Sequence, residues 1–241
     1  MSQLMFYENV IPLNRDQHRG LRLKRAAGDC SFAAAAGFVP LAGVEFVQSA
    51  RDYPILVSGG EQDFAPVALL GLVQGSNLFV DHTGQWAGGC YVPAFVRRYP
   101  FVLARSGDDD KYTVCIDDKY KGFDNADGEP LFLDDGTESA LLRESIAFLQ
   151  GFLAEMERTR AFMRRLDELG LLVTRDMQLT DAAGKSFLLR GFRVVDDTRL
   201  GALDDAVVLE FHKAGYWPWI YAHLSSLGNI ARLQARLAAQ G

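Results

Sequence analysis

The sequence predicts an α+β fold. A β-rich front half, an antiparallel sheet or a partly closed barrel, is followed by a helical rear half packed on it. Three observations carry this. Up to Leu133 the chain is cut into short β-prone runs separated by turn residues, such as PILVS at 54–58 and YTVCID at 112–117. The composition then changes at Asp134-Asp135-Gly136. Beyond that point Leu142, Leu149, Phe152, Leu153, Met156, Met163 and Leu166 recur near the helical period. No internal repeat or low-complexity linker divides the chain, so residues 1–241 read as a single domain.

Taken in order, Leu4 to Leu13 reads as a first strand stopped by Pro12. Phe32 to Ala36 is placed in a strand, although the alanine run around it favours helix. Pro54 to Ser58 is a buried strand bounded by Gly59-Gly60. Val67 to Val73 and Leu78 to Asp81 flank the turn Gln74–Asn77 and read as a hairpin. Ser106 to Lys111 is a charged loop, Asp124 to Gly128 a turn, and Pro130 to Leu133 a short strand. A long helix spans Thr137 to Leu169, with Thr137 as N-cap and Gly170 just past its end; Gly151 is a candidate bend. Val173 to Leu179 and Phe187 to Val195 form a second hairpin around the turn at Asp181–Gly184. Asp197 caps a short helix. Asp204 or Asp205 caps another that Gly215 closes, although Val207-Val208 favour strand locally. Trp217 to Leu237 is a final helix or helix pair, interrupted at Gly228-Asn229.

The densest stretch is WAGGCYVPAFVRRYPFVL, from Trp86 to Leu103. Gly88-Gly89 permit a sharp turn and Pro93 suits a first helical turn. Val92, Phe95, Val96 and Tyr99 share one helical face, and Pro100 ends the helix before an extended Phe101–Ala104. Arg97 and Arg98 lie among these aromatics, so at least one must point off the apolar face. Such an arginine either pairs with an aspartate of this acidic chain or serves as a clamp for a carboxylate or phosphate.

Composition excludes several classes. Hydrophobic residues make up 49% and charged residues 23%, which suits a globular core and not disorder. A net charge of −6 argues against a general nucleic-acid surface. The basic cluster Arg15, Arg19, Arg22, Lys24 and Arg25 reads as a solvated face. The 3 cysteines, Cys30, Cys90 and Cys115, are widely spaced, which suits a reducing compartment and not a disulfide framework. The N-terminus does not read as a signal peptide, and no apolar run is long enough to span a membrane, so a cytoplasmic protein is expected.

Reactive constellations are sparse. The 4 histidines form no HExxH or HxxxH pair. Glu210, His212 and His223 are ligand types for one metal, but in a helix Glu210 and His212 point about 200° apart. Asp124 to Glu129 collects oxygens without the spacing of a calcium loop. His82 with Cys90 is the one candidate nucleophile pair. GxSxG, GxGxxG and the Walker lysine are absent. The paired aspartates at 117–118, 134–135, 196–197 and 204–205 read as turns and caps. Aromatic side chains around Trp86 and around Trp217 are either core or the lining of a groove.

These residues resemble the SapC family of bacterial proteins. The matching pieces run through Val39-Pro40-Leu41 with Glu45-Phe46, Tyr53-Pro54-Ile55, Leu69 to Leu72 with Asn77-Leu78-Phe79, and Trp86. They continue through Tyr91-Val92-Pro93-Ala94-Phe95 with Arg97-Arg98-Tyr99-Pro100-Phe101, Cys115-Ile116-Asp117, Pro130-Leu131-Phe132 with Gly136, and Ile220 to Leu227 with Asn229. The resemblance implies an accessory role in a surface-layer, TonB-dependent-receptor or halogenase- and oxygenase-linked system, and supplies no catalytic set. The expectation is therefore a soluble, non-catalytic binding protein without cofactor or metal. It recognises a polypeptide or small anionic group at Trp86, Tyr91, Arg97, Arg98 and Tyr99, with His223 contributed by the C-terminal helix. The partner is a protein or peptide, including an enzyme encoded nearby. The alternatives are an enzyme with an unrecognised site and a structural surface-layer component.

Overall fold

The computed structural model describes residues 4–24, 28–60, 63–105, 111–124, 126–180 and 186–239. Its front half contains β1 (Val10–Pro12), β2 (Arg22–Leu23), β3 (Phe38–Pro40), α1 (Phe46–Ser49), β4 (Ile55–Gly59), β5 (Phe64–Leu69), α2 (Ala94–Arg97), β6 (Phe101–Arg105), β7 (Tyr112–Asp117), β8 (Phe123–Asp124) and β9 (Glu129–Pro130). The rear half contains α3 (Ala140–Glu168), β10 (Leu172–Thr180), β11 (Ser186–Val195), α4 (Asp197–Leu200), α5 (Asp205–Ala214), α6 (Trp217–Ser226) and α7 (Asn229–Ala238). This is the expected α+β arrangement.

Among the described residues the strands make open antiparallel sheets and no closed barrel. One sheet has the order β10-β11-β4-β5-β3, another β1-β7-β6 and a third β8-β2-β9. The rear-half hairpin joins the front-half sheet where Arg193 pairs with Val57. Helix α3 spans both halves of the core. Its Leu142 and Leu149 pack with Phe101, Ile116 and Leu131, while its Phe162, Met163 and Leu166 pack with Phe46, Leu56, Phe211 and Trp219. Gly151 sits inside α3 without ending it.

Several local expectations are corrected, most of them by a side-chain hydrogen bond that local pattern does not show. Only Val10–Pro12 of the first run is strand, because the Glu8 and Asn9 N–H groups donate to the Asp117 carboxylate instead of to a ladder. Residues 31–33 form a 3₁₀ turn and not a strand. Asp29 Oδ1 accepts from Ser31 N, and Asn77 Nδ2 holds the Ala33 carbonyl. The expected hairpin of 67–73 with 78–81 is replaced by β4 with β5, whose register runs from Ile55–Ala68 to Gly59–Phe64. The Asn77 side chain accepts from Phe79 N and turns the second segment away. The strand expected at 130–133 reduces to Glu129–Pro130. The 205–214 segment, by contrast, is the helix expected despite its valines, closed by Gly215 at φ 70. The turn at 181–184 and most of the loop at 106–111 lie outside the described residues.

The cap of α3 is Ser139 and not Thr137. Ser139 Oγ accepts from Leu142 N at 3.2 Å, while Thr137 donates its own N–H and hydroxyl to Asp135 Oδ1. Ser139→Ala is therefore expected to lower stability by about 1 kcal/mol. Thr137→Ala should stay within about 0.5 kcal/mol. Urea midpoints of the two variants compare them directly.

Candidate functional site

The one-turn helix α2 is shorter than its apolar period suggests. Pro93, at φ −56 and ψ 145, is the N-cap and not the first helical residue. Pro100, in a cis peptide after Tyr99, follows the turn. What holds α2 in place is Glu45, only 4% exposed. Its Oε1 accepts from Ala94 N at 2.7 Å and from the Tyr91 hydroxyl at 2.9 Å, and its Oε2 accepts from Ala42 N at 3.0 Å. Burial, then Glu45, push the Tyr91 phenol up to about 12. Arg97 Nη2 donates to the same hydroxyl at 3.0 Å and its Nε to the Val92 carbonyl at 3.0 Å. The exposed Arg97 guanidinium also sits 5.1 Å from the Phe148 ring centroid. Glu45, Tyr91 and Arg97 thus form one chain of hydrogen bonds.

Arg98 is held differently. Its Cζ lies 3.9 Å from the Phe95 centroid, 5.5 Å from Phe152 and 6.0 Å from Tyr7. Its Nε is buried without a hydrogen-bond partner. Among the described residues no carboxylate reaches ion-pair distance. Its polar neighbour is the Tyr7 hydroxyl, which itself donates to the Phe101 carbonyl at 2.7 Å. Burial lowers the Arg98 pKa from its ordinary value, opposed by Tyr7. Burial likewise raises the Tyr7 phenol to about 12. Among the described residues, the aspartate partnership that the sequence left open is made by neither arginine.

Tyr99 turns inward on the other side. Its ring stacks on Phe32 at 4.1 Å and its hydroxyl donates to Asp117 Oδ2 at 3.1 Å. Asp117 is fully buried and also accepts from Glu8, Asn9 and Lys119 N–H groups. Burial, then Asp117, push the Tyr99 phenol above its ordinary range. Asp117 is therefore a buried acceptor at a strand end, more than the turn residue expected.

A cleft of about 510 Å³ opens beside these groups. Arg97, Arg98, Tyr99, Phe32, Tyr120 and Phe148 line it, with Asp29 and Glu144 as its carboxylates. Trp86 and His223, both expected in the site, lie elsewhere. Trp86 is 9% exposed and donates Nε1 to the Tyr53 hydroxyl at 3.0 Å; that hydroxyl donates to the Tyr91 carbonyl. His223 is 3% exposed beneath the large sheet, with Nε2 accepting from Val195 N at 3.0 Å. Both are packing residues because their polar atoms are used inside the core. Tyr91 reaches the cleft only through Arg97. Phe148 and Glu45 complete the arrangement from distant segments, and no local motif marks Phe148.

Reactive groups are not assembled here. Among the described residues no group of three or more His, Cys, Asp or Glu side chains is placed to hold a metal. Glu210 is engaged by Arg165 through two bonds of 2.8 Å. Cys30, on the cleft wall, is pushed up to about 11 by burial, and burial also raises Cys90, so neither is an activated thiolate. The second aromatic group divides. Tyr216 and Trp219 pack on Phe162, while Tyr221 is 60% exposed and stacks on Trp217. No helix among the described residues is long and apolar enough to cross a membrane.

Fold and cleft together define an α+β protein that presents an arginine cradled by aromatic rings beside a half-apolar cleft. The chain belongs to the SapC family, whose model matches residues 13–233 of the 241. Against the curated proteins and against the solved structures it has no significant match.

Proposed function

We propose that this SapC protein is a non-catalytic binding or accessory protein that holds an anionic group at Arg98, in the cleft beside α2. The observation that carries this reading is the Arg98 guanidinium itself. A half-buried cation with no carboxylate beside it costs folding energy, and a bound anion supplies a partner. The surrounding rings, Phe95 nearest at 3.9 Å, restrict the guanidinium, so paired N–H bonds to one carboxylate or phosphate need less further ordering. Arg97 adds a second positive charge at the rim, and Tyr99 and Phe32 form an apolar wall. In this reading the anion belongs to a polypeptide or a small acid. The protein acts in the cytoplasm beside a surface-layer, TonB-receptor or halogenase- and oxygenase-linked system of the kind the family resemblance implies.

The test follows the arginine Nε–H resonances of the full chain while acetate or inorganic phosphate is added. Saturable shifts at the Arg98 resonance are expected, with affinity falling at least tenfold in Arg98→Ala and less in Arg97→Ala. Binding that is indifferent to Arg98→Ala, or no shift with either anion at tens of millimolar, rejects the reading.

A further inference from the structure

Arg98 also lines a second groove. This groove, about 530 Å³ in volume, follows α3 past Leu149, Phe152, Leu153, Met156 and Met163, with Phe95 opposite. Leu149 and Arg164, both on its wall, are separated by about 22 Å of helix. The volume falls in the range of small-molecule sites. Among the described residues, arginines 98, 105, 160 and 164 and the carboxylate Asp63 line it. Arg160 is paired with Glu157 at the surface, whereas Arg98 has no carboxylate among the described residues.

We infer that the acid taken at Arg98 is a long-chain fatty acid, its carboxylate on the Arg98 guanidinium and its hydrocarbon chain laid along α3. The inference rests on the reading of Arg98 given above and adds the class of ligand. Charge complementarity places the single anionic head, and the Leu, Phe and Met wall takes the chain. The two methionines are unbranched and flexible, so they adapt to a mobile hydrocarbon. A polypeptide fits less well. Its backbone brings an N–H and a C=O at every residue that need partners, and the long wall of this groove is made of apolar side chains.

The experiment measures binding of acetate, octanoate, dodecanoate and dodecanol to the full chain by calorimetry, below the concentrations at which the lipids self-associate. Affinity is expected to rise about fourfold for each added methylene. Dodecanoate should bind at least tenfold more tightly than dodecanol, and Arg98→Ala should erase that difference. Met156→Glu, at a half-buried groove position, should weaken dodecanoate at least tenfold while leaving acetate unchanged. If that variant does not fold, Leu153→Asn takes its place. Acetate bound through Arg98 with no gain from chain length overturns this inference and leaves the anion-binding function standing. No binding of any carboxylate overturns this inference, and if inorganic phosphate does not bind either, both are overturned. Equal binding of dodecanoate and dodecanol, or an acidic amphipathic peptide that binds where dodecanoate does not, also overturns it.

Discussion

Glu45→Ala is expected to lower stability by about 3–5 kcal/mol, at the upper end of single-residue effects. The carboxylate is buried and satisfies three donors from two separate segments: Ala42 N, Ala94 N and the Tyr91 hydroxyl. Deleting it leaves buried N–H groups without acceptors, each costing about 1–3 kcal/mol and not fully additive. Glu45→Gln keeps one acceptor oxygen but turns an NH₂ toward donors, so about half the loss is expected. Denaturant midpoints measure both. A second readout separates this from a general core defect. Arg97 is anchored on Tyr91, and Tyr91 on Glu45, so the Arg97 Nε–H resonance should broaden in Glu45→Gln while Arg98, which is held by rings, stays sharp. A Glu45→Ala protein within about 1 kcal/mol of the parent would contradict the structural account of α2.

The second large effect is a loss of stability in mild acid traced to His223. Burial holds this imidazole down at about 4, against about 6.5 in an unfolded chain. Between those values the unfolded state binds more protons than the folded one. Stability is therefore complete above about pH 6.5 and falls as pH drops toward 4, by about 3 kcal/mol in total. The geometry explains the sign. Nε2 accepts the Val195 N–H, and a proton there would remove that acceptor and leave a charge in the core. His223→Gln, which keeps an acceptor, should flatten the pH 4–6.5 slope relative to the parent in pH-dependent denaturation. An unchanged slope would place the titration elsewhere.

The clearest lesson on legibility comes from the two adjacent arginines. Sequence placed them on a helical turn between aromatics, and that was right because caps and apolar spacing act over a few residues. It had no means of telling them apart. Arg97 is spoken for by Tyr91 and the Val92 carbonyl, both close in sequence. Arg98 meets Phe95, three residues back, but also Tyr7 and Phe152, which come from two distant segments. Trp86 and His223 misled for the opposite reason. Each is a residue type common in sites, yet Tyr53 and the Val195 N–H use their polar atoms inside the core. Asn77 and Asp117 overturned the short strands near them through side-chain bonds to remote backbone, a competition that period and propensity cannot register.

What the sequence alone determined is the α+β class, the long helix with its glycine stop, the break before Asn229 and the strands β4, β6 and β7. These follow from local periodicity, turn chemistry and caps. Only the tertiary structure decided the sheet order, the buried roles of Glu45 and Asp117, and which arginine is set among rings without a carboxylate from the described residues. Those depend on which distant donors and rings meet inside the core, and the cost of burying an unsatisfied group is set there and not along the chain.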